Sequence, residues 1–135
     1  MPAPRYMLDT NIVLYAMRGE DEALLSKMET FLAGELVISA ITLGELEHGW
    51  HAGYGDRASA GPFLDLVPVL AFDEAAAAGF GRVMAGLAKP KRRTYDRQIA
   101  GHALSLNLTV VTSDAKGFAE IEGLIVEDWT MNATN

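Results

Sequence analysis

Short apolar runs, each followed by a helical pattern, recur along this chain, and that order constrains the fold more than any other feature. Tyr6-Met7-Leu8 and Leu36-Val37-Ile38 read as buried strands, and Leu108-Thr109-Val110-Val111 as an alternating, β-branched one. Leu124-Ile125-Val126 reads as a late strand. Val67-Pro68-Val69-Leu70 adds a short extended segment whose proline suits an edge or a strand end. A first helix is expected to start near Asn11 and carry Ile12, Leu14 and Tyr15. A second spaces Leu24, Leu25, Met28, Phe31 and Leu32 three or four apart and stops at Gly34. Thr42 is expected to cap a helix bearing Leu43, Leu46 and Trp50. Asp73 begins an alanine-rich helix reaching about Ala88, and Thr94 caps one through Ile99, Ala103 and Leu104. Gly53, Gly55 and Gly61 punctuate a stretch with no assigned element. Strands separated by helices predict an α/β fold: a central parallel sheet with helices on both faces, in three α/β/α layers.

At 135 residues the chain is expected to form a single domain over 1–135, with a polar tail from about 130. Half its residues are hydrophobic and 21% are charged, which excludes a disordered chain. The absence of cysteine removes disulfides, thiolate zinc sites and cysteine nucleophiles together, and suits a reducing cytoplasm. No apolar run approaches the ~20 residues of a membrane span, so no membrane partner is expected. Met1-Pro2-Ala3-Pro4-Arg5 lacks the apolar stretch of a leader. The net charge of −7 weighs against nucleic-acid binding through Lys and Arg, but it divides unevenly. Residues 89–97 carry +4 and the remainder −11.

Four acids fall where an α/β sheet binds its ligands, just beyond the carboxyl ends of strands. Asp9 follows the first strand directly, and Asp114 follows Leu108–Val111 after two residues. Asp96 continues the apolar stripe of Ile99, Ala100, Ala103 and Leu104, which turns its carboxylate towards the sheet edge. Glu45 lies in the first turn of the helix after the second strand. Taken singly, each has an ordinary role: Asp9 as a cap, Asp96 at a helix dipole, Asp114 in a turn, Glu45 in solvent. Crowded together they repel, and a divalent cation reverses that balance. Oxygen-only ligands suit Mg²⁺ or Mn²⁺, and the chemistry that follows is hydrolysis of a phosphodiester. No second acid stands two positions after Asp9, as a dehalogenase-type phosphoaspartyl site requires.

The basic residues Lys89, Lys91, Arg92, Arg93 and Arg97 could contact phosphates either side of a scissile bond, or form a solvated loop. His102 reads as a core or flanking histidine, and His48 and His51 lack a metal-binding spacing. Trp50 and Tyr54 read as core or subunit interface rather than as base-stacking platforms.

Met7-Leu8-Asp9-Thr10-Asn11 resembles the opening of the PIN-domain ribonucleases, specifically the VapC-type toxins of bacterial toxin–antitoxin pairs. Ile38-Ser39-Ala40-Ile41-Thr42-Leu43-Gly44-Glu45-Leu46-Glu47-His48-Gly49 resembles their second signature, and Tyr95-Asp96 with Ile99-Ala100-Gly101-His102-Ala103-Leu104 their third. Val110-Val111-Thr112-Ser113-Asp114 and the ending through Trp129 resemble the fourth signature and the last strand. The resemblance implies a PIN-like sandwich and an Mg²⁺- or Mn²⁺-dependent endoribonuclease acting as a toxin. Asp9, Glu45, Asp96 and Asp114 would be the metal-holding quartet, with Asn11, Thr112 and Ser113 orienting the acids or the water. It also implies a homodimer silenced by a small antitoxin, with DNA met only through that partner. The alternative is a PIN-like member of a DNA-bound regulatory complex with little catalysis of its own. An intact acidic quartet argues against it, because a pure binder gains little from buried, unpaired charge. The chain departs from the family at Lys89–Tyr95, where members often carry small or apolar residues.

Overall fold

The computed structural model describes residues 2–88 and 94–131. Five strands form one parallel sheet: β1 (Tyr6–Leu8), β2 (Leu36–Ser39), β3 (Val69–Leu70), β4 (Thr109–Val111) and β5 (Val126–Glu127). Their spatial order is β3-β2-β1-β4-β5, so β1 is central. It aligns Met7 with Val37 on one side and with Val110 on the other. The chain leaves β1 towards β2 and β3, then crosses back to β4, so strand order reverses between β1 and β4. In an open parallel sheet that reversal opens a crevice beyond the strand ends.

Alternation along the three inner strands divides the core in two. Met7, Val37 and Val110 face one layer, while Leu8, Ile38 and Val111 face the other. On the first side lie α5 (Glu74–Ala85) and α6 (Thr94–Ser105), which contribute Val83, Ile99, Ala100 and Ala103. On the second lie α1 (Thr10–Arg18), α2 (Glu22–Met28), α3 (Ala40–His51) and α4 (Arg57–Leu66), with Ile12, Val13, Leu24 and Leu46 in the core. Each such aliphatic side chain, fully buried, stabilises the fold by roughly 1.5–3 kcal/mol. The result is the expected three-layer sandwich. Among the described residues no helix is long and apolar enough to cross a membrane.

Helices α5 and α6 touch backbone to backbone. A methyl group on Gly79 would lie 2.2 Å from the Gly101 carbonyl oxygen, and one on Gly101 would lie 2.3 Å from the Phe80 nitrogen. Only glycine at both positions allows this approach.

Several boundaries differ from those expected. Ser39, not Thr42, caps α3: its hydroxyl accepts from the Ile41 N–H at 3.1 Å, and Thr42 is buried inside the helix. The second helix ends at Met28, before Phe31 and Leu32, and α5 ends at Ala85. Thr94 is the first residue of α6 rather than its cap. The unassigned stretch contains α4, capped by Asp56 accepting from the Ser59 N–H at 2.8 Å. Pro62 sits inside α4 on an exposed face, where the carbonyl it leaves unpaired can take water instead.

Candidate active site

The four acids reach the carboxyl edge of the sheet by different routes. Asp9 extends the ladder past β1, its N–H donating to the Val111 carbonyl at 3.0 Å. Its side chain then turns to cap α1, Oδ1 accepting from the Ile12 N–H at 3.0 Å. Oδ2 accepts a short hydrogen bond from the Thr112 hydroxyl, which arrives from the end of β4. Asp9 thus fills its expected capping role and faces the crevice with the same carboxylate, at only 5% exposure.

Burial raises the Asp9 pKa to about 6 from an ordinary 3.8. The Thr112 and Ile12 hydrogen bonds oppose that rise, while repulsion from Asp96 and Glu45 adds to it. The Glu45 carboxyl is likewise pushed up, first by burial and then by Asp96, against the hydrogen bond it accepts from the Thr10 hydroxyl at 2.6 Å. Asp9, Glu45 and Asp96 therefore share one electrostatic neighbourhood. Asp114 joins them through the backbone: its N–H donates to Thr112 Oγ1 at 3.0 Å, and that same hydroxyl donates to Asp9.

Thr112 therefore stands where an orienting residue is expected. Ser113 is half-buried beside Tyr15, Asp21 and Thr130, lining a separate polar cavity. Asn11 is exposed on the first turn of α1, and Thr10 beside it is the residue that reaches Glu45. Sequence spacing missed Thr10, whose only signal was its place next to Asp9. Arg97 requires a correction: it is 7% exposed rather than part of an open basic strip. It falls one turn before Gly101 in α6. Lys89, Lys91, Arg92 and Arg93 lie outside the described residues.

A second buried polar pair supports the site from behind. His102, 1% exposed, places Nδ1 2.8 Å from Ser39 Oγ, the atom that caps the helix carrying Glu45. Burial holds the His102 pKa below its ordinary value, only partly offset by Asp73. A neutral ring lets Nδ1 accept the Ser39 proton while Ser39 accepts from Ile41. His48 and His51 are exposed.

The donor set fits a hard divalent cation. All contributors are carboxylate or hydroxyl oxygens, and three of the acids raise one another's energy in a way that positive charge would relieve. Among the described residues, no three carboxylates or histidines close directly on one ion. Mg²⁺ characteristically keeps several waters and takes one or two carboxylates directly, so the looser spacing suits it.

The PIN domain family matches residues 6–124. The chain is 33% identical to the tRNA(fMet)-specific endonuclease VapC of Shigella flexneri, over 93% of this chain and 98% of that protein. It is 34% identical to ribonuclease VapC2 of Haemophilus influenzae, again over 93% and 98%. It superposes with a TM-score of 0.83 and 32% identity on a chain in the crystal structure of DNA-bound VapBC from Salmonella typhimurium, covering 93% and 98% of the two chains. Similarity of that extent, with both core layers and the acidic crevice inside the matched span, makes this chain a member of the PIN-domain family, among the VapC ribonucleases.

Proposed function

We propose that this chain is a divalent-metal-dependent endoribonuclease and the toxin of a toxin–antitoxin pair. The observation that carries the reading is Asp9: a carboxylate buried at a strand reversal, pressed by Glu45 and Asp96, and oriented by Thr112. Asp9, Glu45, Asp96 and Asp114 would hold Mg²⁺ or Mn²⁺, directly or through water. When bound, such an ion supplies an acidified water and neutralises charge on the phosphoryl group. Thr112 fixes which Asp9 oxygen faces the crevice, and Thr10 does the same for Glu45. Lys89, Lys91, Arg92 and Arg93 precede Asp96 in sequence and are proposed to meet the flanking phosphates.

The Shigella relative's specificity for tRNA(fMet) makes initiator tRNA the first substrate to assay. The complexes of related chains point to a small antitoxin partner, with DNA bound through it. Digestion of total RNA with end mapping tests the activity. Cleavage is expected with Mg²⁺ or Mn²⁺ and is expected to be lost with EDTA and in Asp9→Asn and Asp96→Asn. Cleavage that persists in EDTA and in both variants overturns the reading.

A further inference from the structure

A cavity of about 560 Å³ opens between α1, α3 and α4, and its inner end is formed by Thr10 and Glu45. It borders the acidic crevice through Glu45, which accepts a hydrogen bond from Thr10 at 2.6 Å and feels the charge of Asp96. Its walls differ in chemistry from the purely structural core. Trp50 and Tyr54 supply aromatic surface, Ser59 a hydroxyl, and Arg18 a cation at the far wall. Arg18 ends the helix that Thr10 begins, which places it about 12 Å from Thr10 along the α1 axis.

Tyr54 is the unusual member. Its side chain is 80% exposed, although its backbone is firmly placed. The Tyr54 N–H donates to Gly49 O at 2.8 Å, and the neighbouring Gly53 and Gly55 adopt positive φ of 95° and 84°. The turn thus holds a large ring out at the cavity mouth with little packed against it. On the inner side, Arg57 lies over Trp50 at 5.8 Å and is tied to Glu47, which fixes the start of α4 against α3. An aromatic ledge, a cation in the same lining and a border on the acidic crevice at Glu45 are features of a single-stranded nucleic-acid subsite.

We propose that this cavity receives one nucleobase of the RNA near the scissile phosphate, stacked on Tyr54, with Arg18 meeting a phosphate further along the strand. The proposal rests on the ribonuclease reading above and adds to it a named determinant of substrate choice. An apolar groove elsewhere, lined by Leu25, Met28, Glu29, Phe63 and Leu66, has no cation in its lining and none of the four crevice acids.

The test compares the parent chain, Tyr54→Ala and Tyr54→Phe with Mn²⁺ on a single-stranded RNA spanning the mapped cleavage site. Each is also assayed on copies of that RNA bearing one abasic position on either side of the cleaved bond. Tyr54→Ala is expected to raise KM tenfold or more with little change in kcat, and Tyr54→Phe to behave as the parent. One abasic position is expected to reduce the parent to the level of Tyr54→Ala and to leave Tyr54→Ala no worse. Equal cleavage by parent and Tyr54→Ala overturns the proposal, as does a Tyr54→Ala defect that persists unchanged on every abasic RNA. Unchanged cleavage combined with weaker inhibition by a co-expressed protein partner assigns the cavity to that partner and also overturns it. A parent chain that cleaves no RNA with any divalent metal overturns the ribonuclease reading itself, and this subsite with it.

Discussion

The Thr112 hydroxyl donates to the Asp9 carboxylate while accepting from the Asp114 N–H, so one threonine joins the exits of β1 and β4. Thr112 is fully buried, and its bond opposes the desolvation that burial imposes on Asp9. Thr112→Val keeps the shape and removes both hydrogen bonds. We expect metal affinity to fall roughly 10–100-fold, the usual effect of losing a group that orients a metal-binding side chain. Thr112→Ser should restore most of it. Calorimetric titration with Mn²⁺, beside the metal dependence of cleavage, checks this; parent-like affinity in Thr112→Val refutes it.

Asp9 makes the metal-free fold sensitive to pH. Its folded pKa of about 6 lies above the ordinary 3.8, so the folded state binds the proton more tightly than the unfolded chain does. Stability is therefore highest below about pH 4 for this group and falls as pH rises through 6, by about 3 kcal/mol in all. Asp9→Asn keeps a capping side chain without the charge. In EDTA at pH 7.5 it should melt at a higher temperature than the parent, with the advantage gone near pH 4. Added Mg²⁺ should narrow the gap by stabilising the parent alone. Melting curves at both pH values, with and without EDTA, decide it.

His102 works in the opposite direction. Its pKa is lowered in the fold, so above the ordinary 6.5 both states hold the ring neutral and nothing is lost. As pH falls below that value the unfolded chain takes up the proton first, and the folded state loses stability. Protonation would also oblige Nδ1 to donate towards Ser39 Oγ, which already serves the α3 cap. His102→Gln should lack this acid-side loss. Urea midpoints for parent and variant at pH 7.5 and pH 5.5 measure it, and parallel falls in both proteins would sink the assignment.

The contact between α5 and α6 tolerates no side chain. Gly101→Ala and Gly79→Ala should each cost about 3 kcal/mol, at the upper end for overpacking, because the obstructing atoms are backbone. Gly81→Ala is the control: Gly81 is exposed in the same helix α5, with nothing within 4 Å of an added methyl. It should stabilise by up to about 1 kcal/mol through helix propensity. Denaturant midpoints that move in the same direction for Gly79→Ala and Gly81→Ala would contradict this packing.

Much of this was legible in the sequence where one physical signal dominated. Short apolar strands separated by helical patterns revealed the sheet, and the acids placed just past β1 and in the helices beside it revealed the crevice near Asp9, Glu45 and Asp96. Signals that depend on tertiary contact were not legible. Ser39 and Thr42 are equally good caps on paper, and only the start of α3 at Ala40 chooses between them. Gly61 and Pro62 disguised α4, whose helical character rests on the Asp56 cap and on packing. Glycines in an alanine-rich helix say nothing about a helix crossing, so the Gly79–Gly101 contact could not be read from spacing, nor could the burial of Arg97. Of the two readings offered for Tyr54, core or subunit interface, its exposure removes the first: the glycines that flank it turn the chain outward.

The central strand pairs along its length with residues about a hundred positions away: Tyr6 with Thr109, Met7 with Val110, Leu8 with Val111. During synthesis, Asp9 emerges first and waits for nearly everything that gives it meaning. Until β4 has been joined, β1 lacks one of its two neighbours, Thr112 has not arrived to orient the carboxylate, and Asp114 does not yet exist. Closing so long a loop is also the late, costly step in assembling the sheet. A chain that stops before β4 consequently lacks both Thr112 and Asp114 as well as the second neighbour of β1. For a member of the VapC ribonucleases, the topology itself leaves the acidic crevice unfinished until the late strand β4 has joined the sheet.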